Sequence, residues 1–289
     1  MVEQNVIDFE QHWGKPPCGK NSSYFVPIYK MKIVVFDLDE TLGYFVEYGI
    51  FWDCVKKYLN EALNQNEFNE ILDIYPEFLR PNIMNILIYL KHKKTINNCQ
   101  QIMMYTNNQK AWASQLISYF ETKLHFKLFD QVISAFKVNG KRIEMCRTSQ
   151  DKSYDDLMRC TRLPPNAEIC FLDNHYFPNM VNKNIYYINL KPYIYQLKFS
   201  EMIVRFLQCV IGKRLIKDPD DFEKFMTIEY NRYDYKYTEK NSEEYEIDKI
   251  IGKQIMSHLQ DFFKTSNKTT NNKTKRMKKN TKTKTFRRK

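Results

Sequence analysis

The sequence predicts an α/β fold, with a doubly wound, mostly parallel sheet of five strands and a small helical insert after the first strand. Short apolar runs recur along the chain, and they alternate with segments whose apolar residues repeat at helical spacing. The first run, at 33–36, has no polar alternation, which is typical of a strand buried on both faces of a parallel sheet. Because 43% of the 289 residues are hydrophobic, the chain can bury a sizeable core.

Each element is predicted from its local pattern. Strands are predicted from unbroken apolar runs at 33–36, 101–105, 132–136, 169–172 and 185–188. Helices are predicted from helical spacing at 44–63, 82–93, 109–122, around 154–158, at 200–213 and at 243–263. Pro81 stands near the first turn of the second helix, Ser200 is the expected N-cap of the helix at 200–213, and Asn139-Gly140 signals a tight turn.

Charge divides the chain unevenly. Of the 45 Lys and Arg residues, 12 lie in 264–289, which contains no Asp or Glu, so the remaining 33 face all 34 acidic residues. We therefore expect an irregular arm at 1–30, a catalytic domain at 31–215 with an insert at about 43–80, a helical extension at 216–263 and a disordered basic tail at 264–289. The tail is the part expected to bind nucleic acid or an acidic partner, or to direct localisation.

Cysteine usage and hydropathy exclude several classes of protein. The seven cysteines form no C-x-x-C pair and are accompanied by no His pair, so neither a disulfide framework nor a zinc site is expected. No run of 18 apolar residues occurs, so no membrane-spanning helix and no membrane partner are expected. The polar start lacks a secretory pattern, and we expect an intracellular location, cytoplasmic or nuclear.

Three of the predicted strands end in residues suited to phosphoryl transfer. Asp37 and Asp39 follow the first strand, Thr106 follows the second, and Asp173-Asn174 follow the fourth. Because the carboxyl ends of parallel strands share one edge of the sheet, these side chains are expected to meet in one cleft. A phosphoryl-transfer site also needs a cation. Lys152, which precedes a predicted helix, is the preferred candidate, and the competing candidates are Lys137 and Lys141.

Residues 37–42, which read D-L-D-E-T-L, resemble the first motif of the haloacid dehalogenase superfamily. More specifically, they resemble the branch of NLI-interacting-factor-like phosphatases, which includes the small phosphatases of the RNA polymerase II C-terminal domain. The resemblance covers roughly 31–212 and continues through these segments in the family's order: Leu79-Arg80-Pro81, Tyr105-Thr106, the stretch 140–157 with Lys152, and Leu172-Asp173-Asn174.

The resemblance implies a magnesium-dependent phosphatase. It makes Asp37 the nucleophile that forms an aspartyl-phosphate, and Asp39 the acid and base that serves both half-reactions. Thr41 and Thr106 would bind the phosphoryl oxygens, and Lys152 would neutralise charge. Magnesium would be held by the Asp37 carboxylate, the Asp39 carbonyl and Asn174, with Asp173 in the outer shell.

The chain also departs from the family at places that shape the substrate groove. Gly43-Tyr44 follows the first motif, the insert is helical rather than β-rich, and His175-Tyr176 follows Asn174. The expected substrate is a phosphoprotein with phosphoserine or phosphothreonine. One alternative is the same chemistry on a nucleotide or a nucleic-acid end, and another is a non-catalytic phosphopeptide-binding scaffold. The intact Asp37 and Asp39 pair favours an enzyme over the scaffold.

Overall fold

The computed structural model of the protein describes residues 30–233 and 235–264. The expected N-terminal arm, except for Lys30, lies outside the described residues. The same is true of the basic tail except for Lys264.

Five parallel strands form the central sheet, so the predicted α/β class with a doubly wound sheet is confirmed. In chain order the strands are β1 (Lys32–Phe36), β2 (Gln101–Tyr105), β3 (Gln131–Ile133), β4 (Lys137–Val138), β5 (Lys141–Arg142), β6 (Glu168–Asp173) and β7 (Ile185–Asn189). The sheet has the order β3-β2-β1-β6-β7, and β4 and β5 form a separate antiparallel hairpin. Asn139 and Gly140 turn this hairpin with φ values of 49° and 77°, the left-handed conformations that tight hairpin turns require.

Helices cover both faces of the sheet. In chain order they are α1 (Val46–Leu59), α2 (Gln65–Leu72), α3 (Ile83–Thr95), α4 (Lys110–Leu124), α5 (Tyr154–Thr161), α6 (Phe199–Gln208), α7 (Val210–Leu215), α8 (Pro219–Tyr230) and α9 (Ser242–Lys264). The helical insert expected after the first strand is present as α1, α2 and a short 3-10 turn at Pro76–Phe78.

The residues of β1 alternate between two cores. Val34 and Phe36 belong to the larger core, which also includes residues of α1, α3, α4, α6 and α9. Ile33 and Val35 belong to the smaller core, which includes Leu157 of α5. All four side chains are buried, which explains the unbroken apolar run at 33–36.

The single helix predicted at 200–213 is wrong, because the structure has two helices that meet at Cys209. Cys209 is extended, and its Sγ accepts a hydrogen bond from the Gly212 N–H at 3.3 Å, which caps α7. A Cβ at Gly212 would lie 1.8 Å from the Phe206 carbonyl oxygen, so this close turn requires glycine. The predicted cap is also wrong: Lys198 occupies the N-cap position of α6, and Ser200 lies inside the helix.

The C-terminal extension packs onto the main core. In α8, Phe222 contacts the Tyr58 ring of α1, with the ring centroids 5.0 Å apart. In α9, Ile255 and Leu259 are buried in the larger core. The apolar face that helical spacing predicts for 243–263 is thus buried from Ile251 onward, whereas Ile247 and Ile250 are exposed. No helix in the two described ranges has the length and apolar character needed to cross a bilayer.

The expectation of unpaired cysteines is wrong for one pair. Cys146 and Cys160 form a disulfide that joins the segment before Lys152 to the last turn of α5. The two residues are 14 positions apart and belong to no recognisable motif, so only the folded chain brings them together. The other cysteines in the described ranges are free, and Cys54, Cys99 and Cys170 are buried.

Candidate active site

The candidate site lies at the topological switch point of the sheet, between β1 and β6. β1 and β6 are neighbours, and the chain continues from them toward opposite sides of the sheet. Such a switch point opens a crevice at the carboxyl ends of the two strands. Asp37 directly follows β1 and Asp173 is the last residue of β6, so the sheet delivers both carboxylates to this crevice. The Asp37 N–H donates to the Leu172 carbonyl at 2.9 Å and extends the strand pairing into the site.

The loop after Asp37 is held by its own backbone. The Leu42 N–H donates to the Leu38 carbonyl at 2.9 Å, and the Glu40 N–H donates to the Gly43 carbonyl at 2.7 Å. Glu40 has a φ of 57°, so the chain turns sharply through a left-handed residue. At Gly43 a Cβ would lie 2.4 Å from the Phe78 carbonyl oxygen, which leaves room only for glycine.

Arg80 holds this loop in place through its backbone carbonyls. Its side chain is buried, and it donates from Nε to the Thr41 carbonyl at 2.6 Å and from one terminal nitrogen to the Glu40 and Lys191 carbonyls at 2.5 and 2.9 Å. The guanidinium also lies over the Tyr193 ring, 5.4 Å from its centroid. The resemblance includes the segment around Arg80, but no pattern in the sequence predicts these three backbone contacts.

Lys152 lies between the two strand-end carboxylates. Its Nζ is 2.5 Å from Asp37 Oδ1 and 2.7 Å from Asp173 Oδ2, and its side chain is only 2% exposed. Burial alone would lower the pKa of this ammonium, but the carboxylates of Asp37 and Asp173 outweigh it and raise the pKa above its ordinary value. The competing candidates, Lys137 and Lys141, lie in the exposed β4–β5 hairpin and contact none of these carboxylates.

Thr41 and Asn174 complete one side of the site. The Thr41 hydroxyl lies 3.1 Å from Asp37 Oδ2 and 3.2 Å from Asn174 Oδ1, and it also accepts from the Asn174 N–H at 3.2 Å. The second oxygen of Asp173 accepts from the His175 N–H at 2.8 Å. Both oxygens of Asp173 are therefore engaged, whereas Asp37 and Asn174 direct oxygens toward one shared hydroxyl.

Asp39 lies nearer the surface than Asp37 and is held by a residue that sequence reasoning missed. Asn108 donates from Nδ2 to Asp39 Oδ2 at 3.0 Å. Burial raises the pKa of the Asp39 carboxyl to about 6, and the nearby charge of Asp37 adds to this, while the Asn108 hydrogen bond opposes it. The signal that could have identified Asn108 is its place just after the second strand, two residues beyond Thr106.

Thr106 lies at the end of β2 and is fully buried. Its hydroxyl accepts a hydrogen bond from the Asn108 N–H at 3.0 Å, so it shapes the turn that carries Asn108. The structure thus links five predicted residues through successive contacts, in the order Asn174, Thr41, Asp37, Lys152 and Asp173. It places Thr106 beside Asp39 through Asn108, with no direct contact to the carboxylates.

The donor set fits a small hard cation. Thr41 has one hydroxyl hydrogen, yet two acceptors, Asp37 Oδ2 and Asn174 Oδ1, lie within hydrogen-bond distance of it, so one acceptor lacks a proton from this group. Within the described residues no three His, Cys, Asp or Glu side chains form a metal cluster. The Asp37 carboxylate and the Asn174 amide oxygen are hard oxygen ligands. A few such oxygens together with waters suit Mg²⁺ better than Zn²⁺, which prefers nitrogen and sulfur, or Ca²⁺, which takes more ligands.

Comparisons with known proteins give little further guidance. No protein-family model matches the chain, and no curated protein matches it. A solved structure of the fission yeast RNA polymerase II CTD phosphatase Fcp1, in an arginine-to-alanine variant bound to beryllium fluoride, is similar at 16% identity and a TM-score of 0.32. The match covers 80% of this chain and 64% of the Fcp1 chain. A likeness this low shows neither family membership nor activity for this chain.

Proposed function

We propose that this protein is a magnesium-dependent phosphomonoester phosphatase that works through an aspartyl-phosphate intermediate. The observation that carries the proposal is the contact of Lys152 Nζ with both Asp37 and Asp173. Asp39, which is only partly exposed, lies two residues after Asp37. A buried ammonium next to a carboxylate nucleophile is placed to neutralise charge that develops on a transferred phosphoryl group.

The surroundings of the three carboxylates support different roles for them. Asp173 is fully buried and both of its oxygens are engaged, so it is suited to hold Lys152. Asp39 has a pKa raised to about 6, which suits a group that must both give and take a proton. Asp37 is oriented from two sides by Lys152 and Thr41, which suits the attacking carboxylate.

The two half-reactions then follow. An oxygen of Asp37 attacks phosphorus, the phosphorus–oxygen bond to the substrate breaks, and Asp39 donates its proton to the departing alkoxide. In the second step Asp39 takes a proton from water, the water oxygen attacks phosphorus, and the bond to Asp37 breaks to release phosphate. Bound Mg²⁺, held by Asp37, Asn174 and the Asp39 carbonyl, would supply additional charge neutralisation.

The proposed substrate is phosphoserine or phosphothreonine in protein. Support comes from the sequence resemblance and from an exposed rim: Asn107, Gln109, His175 and Tyr176 all lie at the surface beside the site. Such an open rim admits a phosphate carried on an extended peptide. The alternative, a nucleotide or nucleic-acid end, uses the same chemistry and differs in which substrate is turned over.

The test is a magnesium-dependent phosphate-release assay with phosphopeptides, nucleotides and 3′-phosphorylated DNA. We expect release from phosphopeptides by the wild type, loss in Asp37→Asn, and wild-type rates in Asp220→Asn, since Asp220 is exposed at the start of α8. Preferred turnover of nucleotides or DNA would overturn the substrate class. A fully active Asp37→Asn variant would overturn the mechanism.

A further inference from the structure

A second buried cation, Arg147, lies behind the candidate site. Its side chain is fully buried, and its two terminal nitrogens donate four hydrogen bonds. One donates to the carbonyls of Thr106 and Ser134 at 3.2 and 2.8 Å. The other donates to Asn107 Oδ1 at 2.8 Å and to the Gln150 carbonyl at 2.7 Å. A single guanidinium thus joins the ends of β2 and β3 to the loop that leads into α5.

This loop carries Lys152. The Gln150 carbonyl that Arg147 holds lies only two residues before Lys152, and the N-cap residue of α5, Ser153, follows directly after it. The Tyr105 ring contacts both Arg147 and Lys152. The Arg147 guanidinium lies 4.9 Å from the centroid of the Tyr105 ring and Lys152 Nζ lies 5.6 Å from it. The position of Lys152 relative to Thr106 therefore depends on Arg147.

The burial of Arg147 is not explained by an ion pair. Among the described residues no carboxylate lies within ion-pair distance of the Arg147 guanidinium, since Asp156 pairs with Arg159 instead, and the Nε of Arg147 has no hydrogen-bond partner. Burial lowers the pKa of Arg147, and the charges of Asp156 and Glu144 offset this only in part. Burying a cation without a direct ion pair is costly unless another role compensates for the cost. A positive charge kept behind a site that receives a phosphate dianion would be such a role.

We propose that Arg147 is a positioning residue of the phosphoryl-transfer site, an inference that rests on the function proposed above. It fixes Lys152 and the Thr106–Asn108 turn relative to Asp37 and Asp39. It thereby aligns the groups that contact the phosphoryl group, and it adds positive charge behind them. Its loss should weaken stabilisation of the transition state more than binding of the substrate.

The test compares Arg147→Met with wild type and with Arg214→Met, an exposed arginine on α7. With a small aryl phosphate and Mg²⁺ we expect kcat to fall by about 100-fold and KM to change by less than about threefold, because displacements near 1 Å have effects of this size. Orthovanadate mimics five-coordinate phosphorus, and its inhibition should weaken by about 100-fold while that by inorganic phosphate changes by less than about threefold. Arg214→Met should match wild type.

Arg147→Lys keeps the positive charge but cannot make the four hydrogen bonds of the guanidinium. It is the variant to test if Arg147→Met does not fold. We expect it to lower kcat by about tenfold with an unchanged KM. Wild-type kcat in folded Arg147→Met, or in Arg147→Lys where the Met variant does not fold, would overturn the inference. Equal weakening of vanadate and phosphate inhibition would also overturn it, because a purely structural role does not distinguish the two anions. A wild type that releases no phosphate from any substrate would instead overturn the proposed function.

Discussion

Replacing Lys152 by methionine is expected to destabilise the protein in a pH-dependent way. Methionine has nearly the same length and volume as lysine, so packing changes little while the charge is lost. The variant leaves Asp37 and Asp173 in a buried site without the ammonium that lies 2.5 and 2.7 Å from them. Breaking a buried pair by removing one partner costs about 3–5 kcal/mol, because the remaining charge is uncompensated.

The sign of the pH dependence follows from Asp173. Burial raises the pKa of Asp173 to about 6 against the opposing charge of Lys152, so loss of the ammonium removes that opposition and raises the pKa further above its value in the unfolded chain. A raised carboxyl pKa leaves stability intact below the unfolded pKa and reduces it as pH rises through the folded one. The difference between variant and wild type should therefore be larger at pH 8 than at pH 5.

Urea unfolding at both pH values, in chelator and in excess Mg²⁺, measures the effect. We expect the loss of about 3–5 kcal/mol at pH 8 in chelator, a smaller loss at pH 5, and partial recovery with Mg²⁺, which binds the folded state preferentially. Lys137→Met, in the exposed hairpin, should change stability by less than about 0.5 kcal/mol. A Lys152→Met variant as stable as wild type at pH 8 would refute the reasoning.

Four further outcomes are expected. The pKa of Asp39 is raised to about 6, and the first half-reaction needs its proton. For an ester with a poor leaving group, kcat/KM should therefore fall as pH rises above about 6. A flat pH profile would contradict this role of Asp39. Burial raises the pKa of Glu47 from 4.5 to about 7, so ionised Glu47 lowers the stability of the wild type as pH rises through that range. In urea unfolding, the free energy of unfolding of Glu47→Gln should exceed that of wild type by up to about 3 kcal/mol at pH 8 and by little at pH 4. Cys146→Ser should lower the free energy of unfolding by about 3 kcal/mol without reductant and by far less with it, and an equal loss in both conditions would argue against the disulfide. Deleting 265–289 should leave aryl-phosphate turnover unchanged and weaken nucleic-acid binding. For the full chain on duplex DNA, the logarithm of the binding constant should fall with the logarithm of salt concentration, with a slope of about −0.9 per phosphate contact. Equal affinity with and without 265–289 would contradict a role of this segment in binding.

Much of the fold could be predicted because it depends on local pattern. The apolar run at 33–36 indicates a buried strand, and the strands that alternate with helices indicate a parallel sheet. The break at Cys209 could not be predicted, since helical spacing continues through it and only the packing of Gly212 on the Phe206 carbonyl interrupts the helix.

The candidate site divides in the same way. Asp37 and Asp173 could be predicted to meet, because strand ends of a parallel sheet share an edge. Arg147 could not, because its partners are backbone carbonyls on other elements, and such long-range hydrogen bonds leave no periodic trace in the sequence. Asn108 has only its place just after the second strand as a signal, and its hydrogen bond to Asp39 leaves no trace of its own. The disulfide between Cys146 and Cys160 belongs to the same class of contact.

The course of α9 determines from which side of the molecule the basic segment departs. Near the middle of this helix, Gly252 lies against Pro81, the residue that follows Arg80, and a Cβ there would be 2.3 Å from the Pro81 carbonyl oxygen. Near its end, the Phe262 carbonyl accepts from Lys32 Nζ at 2.5 Å, at the start of β1. Asp37 follows the other end of that strand, about 16 Å away at the usual rise per residue. The described chain therefore ends near the amino ends of the strands, opposite the cleft. If the basic residues that follow bind a nucleic acid, as the sequence predicts, the ligand is attached to the protein away from the cleft. Such tethering would raise the local concentration of any phosphorylated group on the ligand and leave the cleft open to receive it.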